Sequence, residues 1–255
     1  MKPEIHHYPD VETLSLMAAE YICTVAAKSA RERGAVTFAL AGGNTPKPVY
    51  ECLAGPRFGE QMPWAHIHLF WGDERCVPPD HPDSNFGMAF RALISRVPVP
   101  LQNVHRIPVE MASPEEAAEA YQKILRDSFA PFIGGDDATA RAGSQFPRFD
   151  LIMLGVGKDG HTASLFPGDP CLEEKRRWVV PVGSPRGSPP VARITLTLPV
   201  INRARCVLFL VSGAEKRDVV RQIVKDPRTA SRSYPAARIQ PEGRVVWFLD
   251  EEASS

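Results

Sequence analysis

The sequence has no excess of charge of either sign: 30 basic residues balance 30 acidic ones over 255 positions. A nucleic-acid binder normally carries a basic excess, and an electrostatic membrane anchor a polybasic patch, so neither partner is expected. Long hydrophobic runs are also missing. The most apolar stretches, Leu151–Val156 and Cys206–Val211, have only the length of a strand, whereas a spanning helix needs about 20 apolar residues. The opening MKPEIHHYPD holds no apolar signal-peptide core. The five cysteines (Cys23, Cys52, Cys76, Cys171 and Cys206) are scattered and never spaced C-x-x-C. That pattern predicts free thiols, a cytoplasmic setting and no zinc ribbon. No G-x-S-x-G nucleophile elbow and no G-x-x-x-x-G-K-[ST] loop occurs. His81 lacks an H-x-x-x-H or H-E-x-x-H companion, so no metal site is expected.

What is present is the mix of an ordinary globular protein, 44% hydrophobic and 24% charged. The length suits one domain over 1–255. Val11, Leu14, Ala18, Tyr21, Ile22 and Val25 recur at helical spacing between Asp10 and Gly34. A strand over 35–40 runs into Ala41-Gly42-Gly43-Asn44-Thr45-Pro46, where Thr45 is placed to cap a helix that starts at proline. A second strand, 66–71, ends in Gly72-Asp73-Glu74-Arg75, read as a polar loop. Ser84-Asn85 opens a helix to about Ile94, and Ser113-Pro114-Glu115-Glu116 opens one over 114–129. Residues 133–148, rich in Gly, Ala and Ser, read as a surface insertion. Strands are expected at 149–156, 193–198, 207–211 and 245–249, and a loop at 181–190. A helix to about Val224 follows Ser212-Gly213. Strand, polar or glycine-containing loop and helix alternate. The expectation is an α/β fold, Rossmann-like, with a mostly parallel sheet and helices on both faces. Ligands in such sheets sit beyond the carboxyl ends of the strands. That rule gathers loops 42–45, 72–75, 157–161 and 212–216 into one site.

Several residues in those loops carry chemistry. Gly42-Gly43-Asn44-Thr45 precedes a helix, where free N–H groups and the helix dipole suit a phosphate; an ordinary strand-to-helix turn would look the same. Gly155-Val156-Gly157-Lys158-Asp159-Gly160 matches G-x-G-x-x-G but lies far from the first βα unit, so it is a weak nucleotide signal. The histidine directly after it, His161, can take a proton from water, with Asp159 two residues earlier to support it. His6, His7, His66, His68 and His105 sit in less suggestive settings. Asp73, Glu74 and Arg75 could form a surface salt bridge or, in a cleft, bind hydroxyls and stabilise negative charge. Arg193 begins a strand. Lys216 lies in a first helical turn, where a cation opposes the dipole unless an anion binds beside it.

In order along the chain, Ala41–Pro46, Gly72-Asp73-Glu74-Arg75-Cys76-Val77-Pro78 with Ser84-Asn85, Gly155–Gly168, Arg193–Thr197, Ser212–Lys216 and Tyr234-Pro235-Ala236-Ala237 resemble the 6-phosphogluconolactonase family. The string Asp159-Gly160-His161-Thr162-Ala163-Ser164-Leu165-Phe166-Pro167 is its most specific part. The resemblance implies the three-layer fold shared with glucosamine-6-phosphate deaminase. It implies hydrolysis of 6-phospho-D-glucono-1,5-lactone in the pentose phosphate pathway, without a metal or organic cofactor. Carried over by position, His161 would be the base, and Asp73 and Arg75 would line the lactone. Gly42, Gly43, Asn44, Thr45, Arg193 and Lys216 would hold the phosphate. The tetrahedral oxyanion could be met by Arg75 or by loop N–H groups around Gly157. Related deaminases carry a glutamate five residues after the histidine, where this chain has Phe166. A non-catalytic sugar-phosphate sensor should carry a helix-turn-helix or basic arm, and none is seen in the first 34 residues. Oligomeric state is not legible, and a monomer is the default expectation.

Overall fold

The computed structural model describes residues 3–130, 146–183 and 187–254. Most of the expected insertion at 133–148, and residues 184–186 of the expected loop at 181–190, lie outside the described residues. The helix signals act as their chemistry dictates. Asp10 accepts from the N–H of Thr13 at 2.7 Å and opens the helix Val11–Arg33, which Gly34 closes in the left-handed region at φ 73°. Ser84 accepts from Gly87 and opens Asn85–Ala92, and Ser113 accepts from Glu116 and opens Pro114–Phe129.

Among the described residues, nine strands form two sheets. The first holds β1 (Glu4–Tyr8), β2 (Val36–Leu40), β3 (Ile67–Trp71), β5 (Leu151–Leu154), β8 (Cys206–Val211) and β9 (Arg244–Asp250) in the order β1-β9-β8-β5-β2-β3. Every pairing in it is parallel. The inner strands β2, β5 and β8 are buried along their whole length, as a sheet covered on both faces requires. The chain moves toward the β3 edge from β1 to β3, then back toward β1 through β5, β8 and β9. Right-handed crossovers therefore place Val11–Arg33 and Pro46–Leu53, which pack on each other, on one face. The helix Arg217–Lys225 falls on the other. The direction reverses between neighbours β2 and β5, the crevice where open α/β sheets bind ligands.

The second sheet is antiparallel, and the sequence signals only its strand beginning at Arg193. It holds β4 (Asp73–Arg75), β7 (Arg193–Leu196) and β6 (Val179–Val182) in the order β4-β7-β6. Gly72–Arg75 is thus not a polar loop. Gly72 joins the sheets: its N–H donates to Leu40 at 2.9 Å and its carbonyl accepts from Leu196 at 2.8 Å. Its polar neighbours then pair with β7, because the ladder, rather than side-chain hydropathy, satisfies their backbone. Val182, placed in the expected loop, likewise pairs with Arg193. The edge strand β1 was missed because its EIHHY sequence is short and half polar.

Candidate active site

The loops after β2, β3, β5 and β8 meet in one cavity beyond the carboxyl ends of the strands. Gly42, Gly43, Asn44, Thr45, Asp73, Arg75, His161, Arg193 and Lys216 all line it, so the sequence-selected site residues other than Glu74 and Asp159 face one space. Three lining side chains, Arg75, Arg193 and Lys216, are basic and one, Asp73, is a carboxylate, a balance that favours an anionic ligand.

His161 is held from several sides. Asp159 Oδ1 lies 2.5 Å from its Nδ1 and accepts its backbone N–H at 3.2 Å. The Phe166 ring packs 4.7 Å from the imidazole. Burial pushes the Asp159 carboxyl up, but the hydrogen bond and charge of His161 outweigh it and hold the group below the usual carboxylate range. A carboxylate only accepts, so Nδ1 carries a proton, and in the neutral ring that leaves the lone pair on Nε2.

Arg75 and Arg193 are cross-strand partners in the β4–β7 register, so their side chains leave the same face. Arg75 donates to the carbonyl of Asp83 at 2.8 Å. Arg193, buried, donates to the carbonyls of Ser188 and Pro189 and lies 5.5 Å over the Phe166 ring. The Nε of each is buried and finds no partner among the described residues. Burial lowers the Arg193 pKa, with Asp73 pulling it up and Arg75 pushing it further down. Asp73 itself is buried and accepts from Ser164 Oγ at 2.6 Å, while Asn85 donates to its carbonyl at 2.9 Å.

Thr45 corrects the sequence reading. It has helical backbone angles and its side chain caps nothing. Its hydroxyl instead meets Ser212 Oγ at 2.8 Å, tying the loop after β2 to the loop after β8. Lys216 stands at the N-cap of Arg217–Lys225 with no side-chain cap. Burial pushes its ammonium down, against the pull of Glu215 and Asp250.

Other contributors escaped the sequence reading. Tyr50, fully buried, accepts from the Ala41 N–H at 3.0 Å and donates to the Ala41 carbonyl at 2.7 Å. Tyr121 grips Trp71 the same way at the end of β3. Thr162 donates to Gly155 after β5, and Asp250 accepts from Gly213 after β8. Each strand exit at the cavity is braced by one polar side chain, which satisfies backbone groups that a buried turn would strand. Glu74, almost fully buried, accepts from the backbone of Arg75, Asn85 and Phe86 and from Ser84. It pins the helix Asn85–Ala92 to β4. Glu74 and Ser84-Asn85 did leave a trace in the sequence, as part of a polar run and as a helix opening; tyrosines and an aspartate far along the chain leave none.

Residues 9–247 match the family model described as glucosamine-6-phosphate isomerases/6-phosphogluconolactonase. The chain belongs to this family. It is 44% identical over 253 residues to 6-phosphogluconolactonase of Synechocystis sp., covering 99% of this chain and 98% of that one. Its structure matches that of 6-phosphogluconolactonase from Trypanosoma brucei at a TM-score of 0.84 and 32% identity, covering 99% of this chain and 97% of the other. The Thermotoga maritima 6-phosphogluconolactonase gives 0.80 at 34% identity, covering 98% and 100%. A monomeric glucosamine-6-phosphate deaminase, 21% identical with a TM-score of 0.77, shares the fold.

Proposed function

We propose that this protein hydrolyses 6-phospho-D-glucono-1,5-lactone to 6-phospho-D-gluconate, in the oxidative pentose phosphate pathway, with His161 as general base on water. The observation that carries the reading is the Asp159–His161 pair at the edge of a cavity lined by Arg75, Arg193 and Lys216. The cations and the Gly42–Thr45 loop hold the phosphate. Anchoring one end of the substrate sets the lactone carbonyl beside His161 and removes part of the entropic barrier. Water attacks that carbonyl as Nε2 takes its proton.

The tetrahedral oxyanion needs donors. The N–H of Gly157 is spent on the His161 carbonyl at 2.9 Å, that of Gly160 on Gly157, and that of His161 on Asp159. Arg75, which lines the cavity and gives one guanidinium N–H group to the Asp83 carbonyl, has donor capacity left. Of the two open possibilities, Arg75 is therefore the better donor. Collapse breaks the bond from the carbonyl carbon to the ring oxygen, and the imidazolium returns its proton to that oxygen. Opening a lactone asks only for activated water, a base and an oxyanion donor, so no metal or organic cofactor is invoked.

Phe166 supports this reading over a deaminase-isomerase. It is fully buried against His161, where the deaminases carry a glutamate, so the second acid–base group that ring opening needs is missing. Among the described residues no helix is long and apolar enough to cross a membrane. All five cysteines are free, which suits a reducing compartment such as the cytoplasm. The substrate is a small sugar-phosphate lactone, with neither nucleic acid nor membrane as partner and the monomer as the working unit. The test generates the lactone with glucose-6-phosphate dehydrogenase and follows 6-phosphogluconate with and without the protein. Acceleration over the spontaneous rate, lost in His161→Ala, is expected. No acceleration, with ammonia released from glucosamine 6-phosphate, would overturn the reading.

A further inference from the structure

Tyr234-Pro235-Ala236-Ala237 recurs in the family resemblance but lines no part of the cavity and takes no part in the chemistry above. Its contacts give it a purpose. Gly160 adopts φ 77°, and a Cβ there would stand 2.4 Å from Cδ1 and 2.7 Å from Cβ of Tyr234. The tyrosine therefore lies directly on the glycine. The N–H of Ala236 donates to the Gly160 carbonyl at 3.0 Å. That carbonyl belongs to the same planar peptide as the N–H of His161, which donates to Asp159 Oδ1. One peptide unit is thus gripped at both ends, by Ala236 at its oxygen and by Asp159 at its N–H. Asp159 Oδ1 also takes the imidazole Nδ1. Rotating the Gly160–His161 peptide would break the Ala236 bond and turn the Asp159 bond away together.

The segment is itself anchored. Pro235, Ala236 and Ala237 are buried, the Tyr234 N–H donates to Ala230 at 2.8 Å, and the Tyr234 hydroxyl donates to Gln222 Oε1 at 3.1 Å. Gln222 lies on Arg217–Lys225, the helix that starts directly after Lys216. The side chain that covers the histidine loop is therefore also tied to the helix behind the half-buried Lys216.

We infer that Tyr234 and Ala236 form a buttress that positions His161 through the Gly160–His161 peptide. The inference rests on His161 being the base. It works through geometry: the ring over Gly160 blocks the outward swing of the peptide, and the Ala236 N–H polarises that peptide toward Asp159.

The test uses the full chain and steady-state kinetics on Tyr234→Ala, Gly160→Ala, the double variant and His161→Ala. Tyr234→Ala is expected to lower kcat about tenfold by misplacing the base, with KM for the lactone within about twofold. The nitrogen-15 signals of the His161 ring shift in the same variant. Tyr234 and Gly160 act on one peptide, so the double variant is no slower than the slower single one. A wild-type kcat with unshifted ring signals overturns the buttress and leaves the base reading standing. Multiplied losses in the double variant also overturn it. Full activity in His161→Ala overturns the base reading and this inference with it. Tyr234→Leu, which keeps apolar volume but removes the flat ring over Gly160, serves if the alanine variant does not fold.

Discussion

Gly157 and His161 occupy each other's space: a Cβ on Gly157 would stand 2.1 Å from both Cε1 and Nδ1 of the imidazole. The ring fills the place where any other residue would carry a side chain. Gly157→Ala must therefore push the imidazole out of its seat against Asp159. The expected loss in kcat is on the order of 10²-fold, the usual effect of a displacement of about 1 Å. Thermal unfolding should change little, because the loop is at the surface of the cavity. Unchanged kcat in the purified, folded variant would contradict the assigned position of the base.

Asp159 sets a pH dependence with a definite sign. Its folded pKa lies below the ordinary carboxylate value, so its support of His161 is complete above that value. The support is lost only as pH falls through the depressed pKa. Asp159→Asn removes the charge at every pH. The variant should lose about 10- to 100-fold in kcat near neutrality by removing charge support for the imidazolium. The gap between the two proteins should close as the wild type is acidified. Rate profiles carried down below the ordinary carboxylate range check this, and profiles that stay parallel there would refute it.

In the proposed mechanism the cations divide the substrate into an anchored and a reacting end. Arg193→Ala should cost more on the phosphorylated lactone than on glucono-1,5-lactone, which has no phosphate for it to hold. Lys216 adds a pH signature. Burial holds its ammonium below the usual lysine range, so its charge is lost as pH rises through that lowered pKa. Calorimetric titration with 6-phosphogluconate should show affinity falling on the alkaline side earlier than an ordinary lysine would allow. Lys216→Ala should bind weakly without that fall.

Tyr50 braces Ala41, the first residue after β2, through both of its backbone groups. Tyr50→Phe leaves a buried N–H and a buried carbonyl without their partner. The expected cost is about 1–3 kcal/mol of stability, read as a lower denaturation midpoint. KM for the lactone should also rise, because Gly42–Thr45 follows directly on the freed residue. An unchanged midpoint would show that water replaces the hydroxyl.

Much of this protein was legible in its sequence, and for identifiable reasons. Asp10, Gly34, Ser84 and Ser113 act within three or four residues of themselves, so their helices could be read from local chemistry. The apolar runs of β5 and β8 could only be buried strands once strand, loop and helix were seen to alternate. His161 and Asp159 lie two residues apart on one tight loop, and their pairing follows from that spacing.

What the linear pattern could not convey depends on segments distant in the chain. Asp73–Arg75 reads as polar loop, and only Arg193–Thr195, some 120 residues later, makes it a strand. Thr45 reads as a cap, yet Ser212 claims its hydroxyl. The tyrosine braces, the Asp250 contact with Gly213, the buttress on Gly160 and the pairing of Arg75 with Arg193 are all long-range. The sequence by itself determined the helices, the inner strands and the residue types that carry the chemistry, because these follow from local hydrogen bonding and periodic burial. The tertiary structure alone decided which buried polar groups find partners and which, like the Nε atoms of Arg75 and Arg193, find none among the described residues.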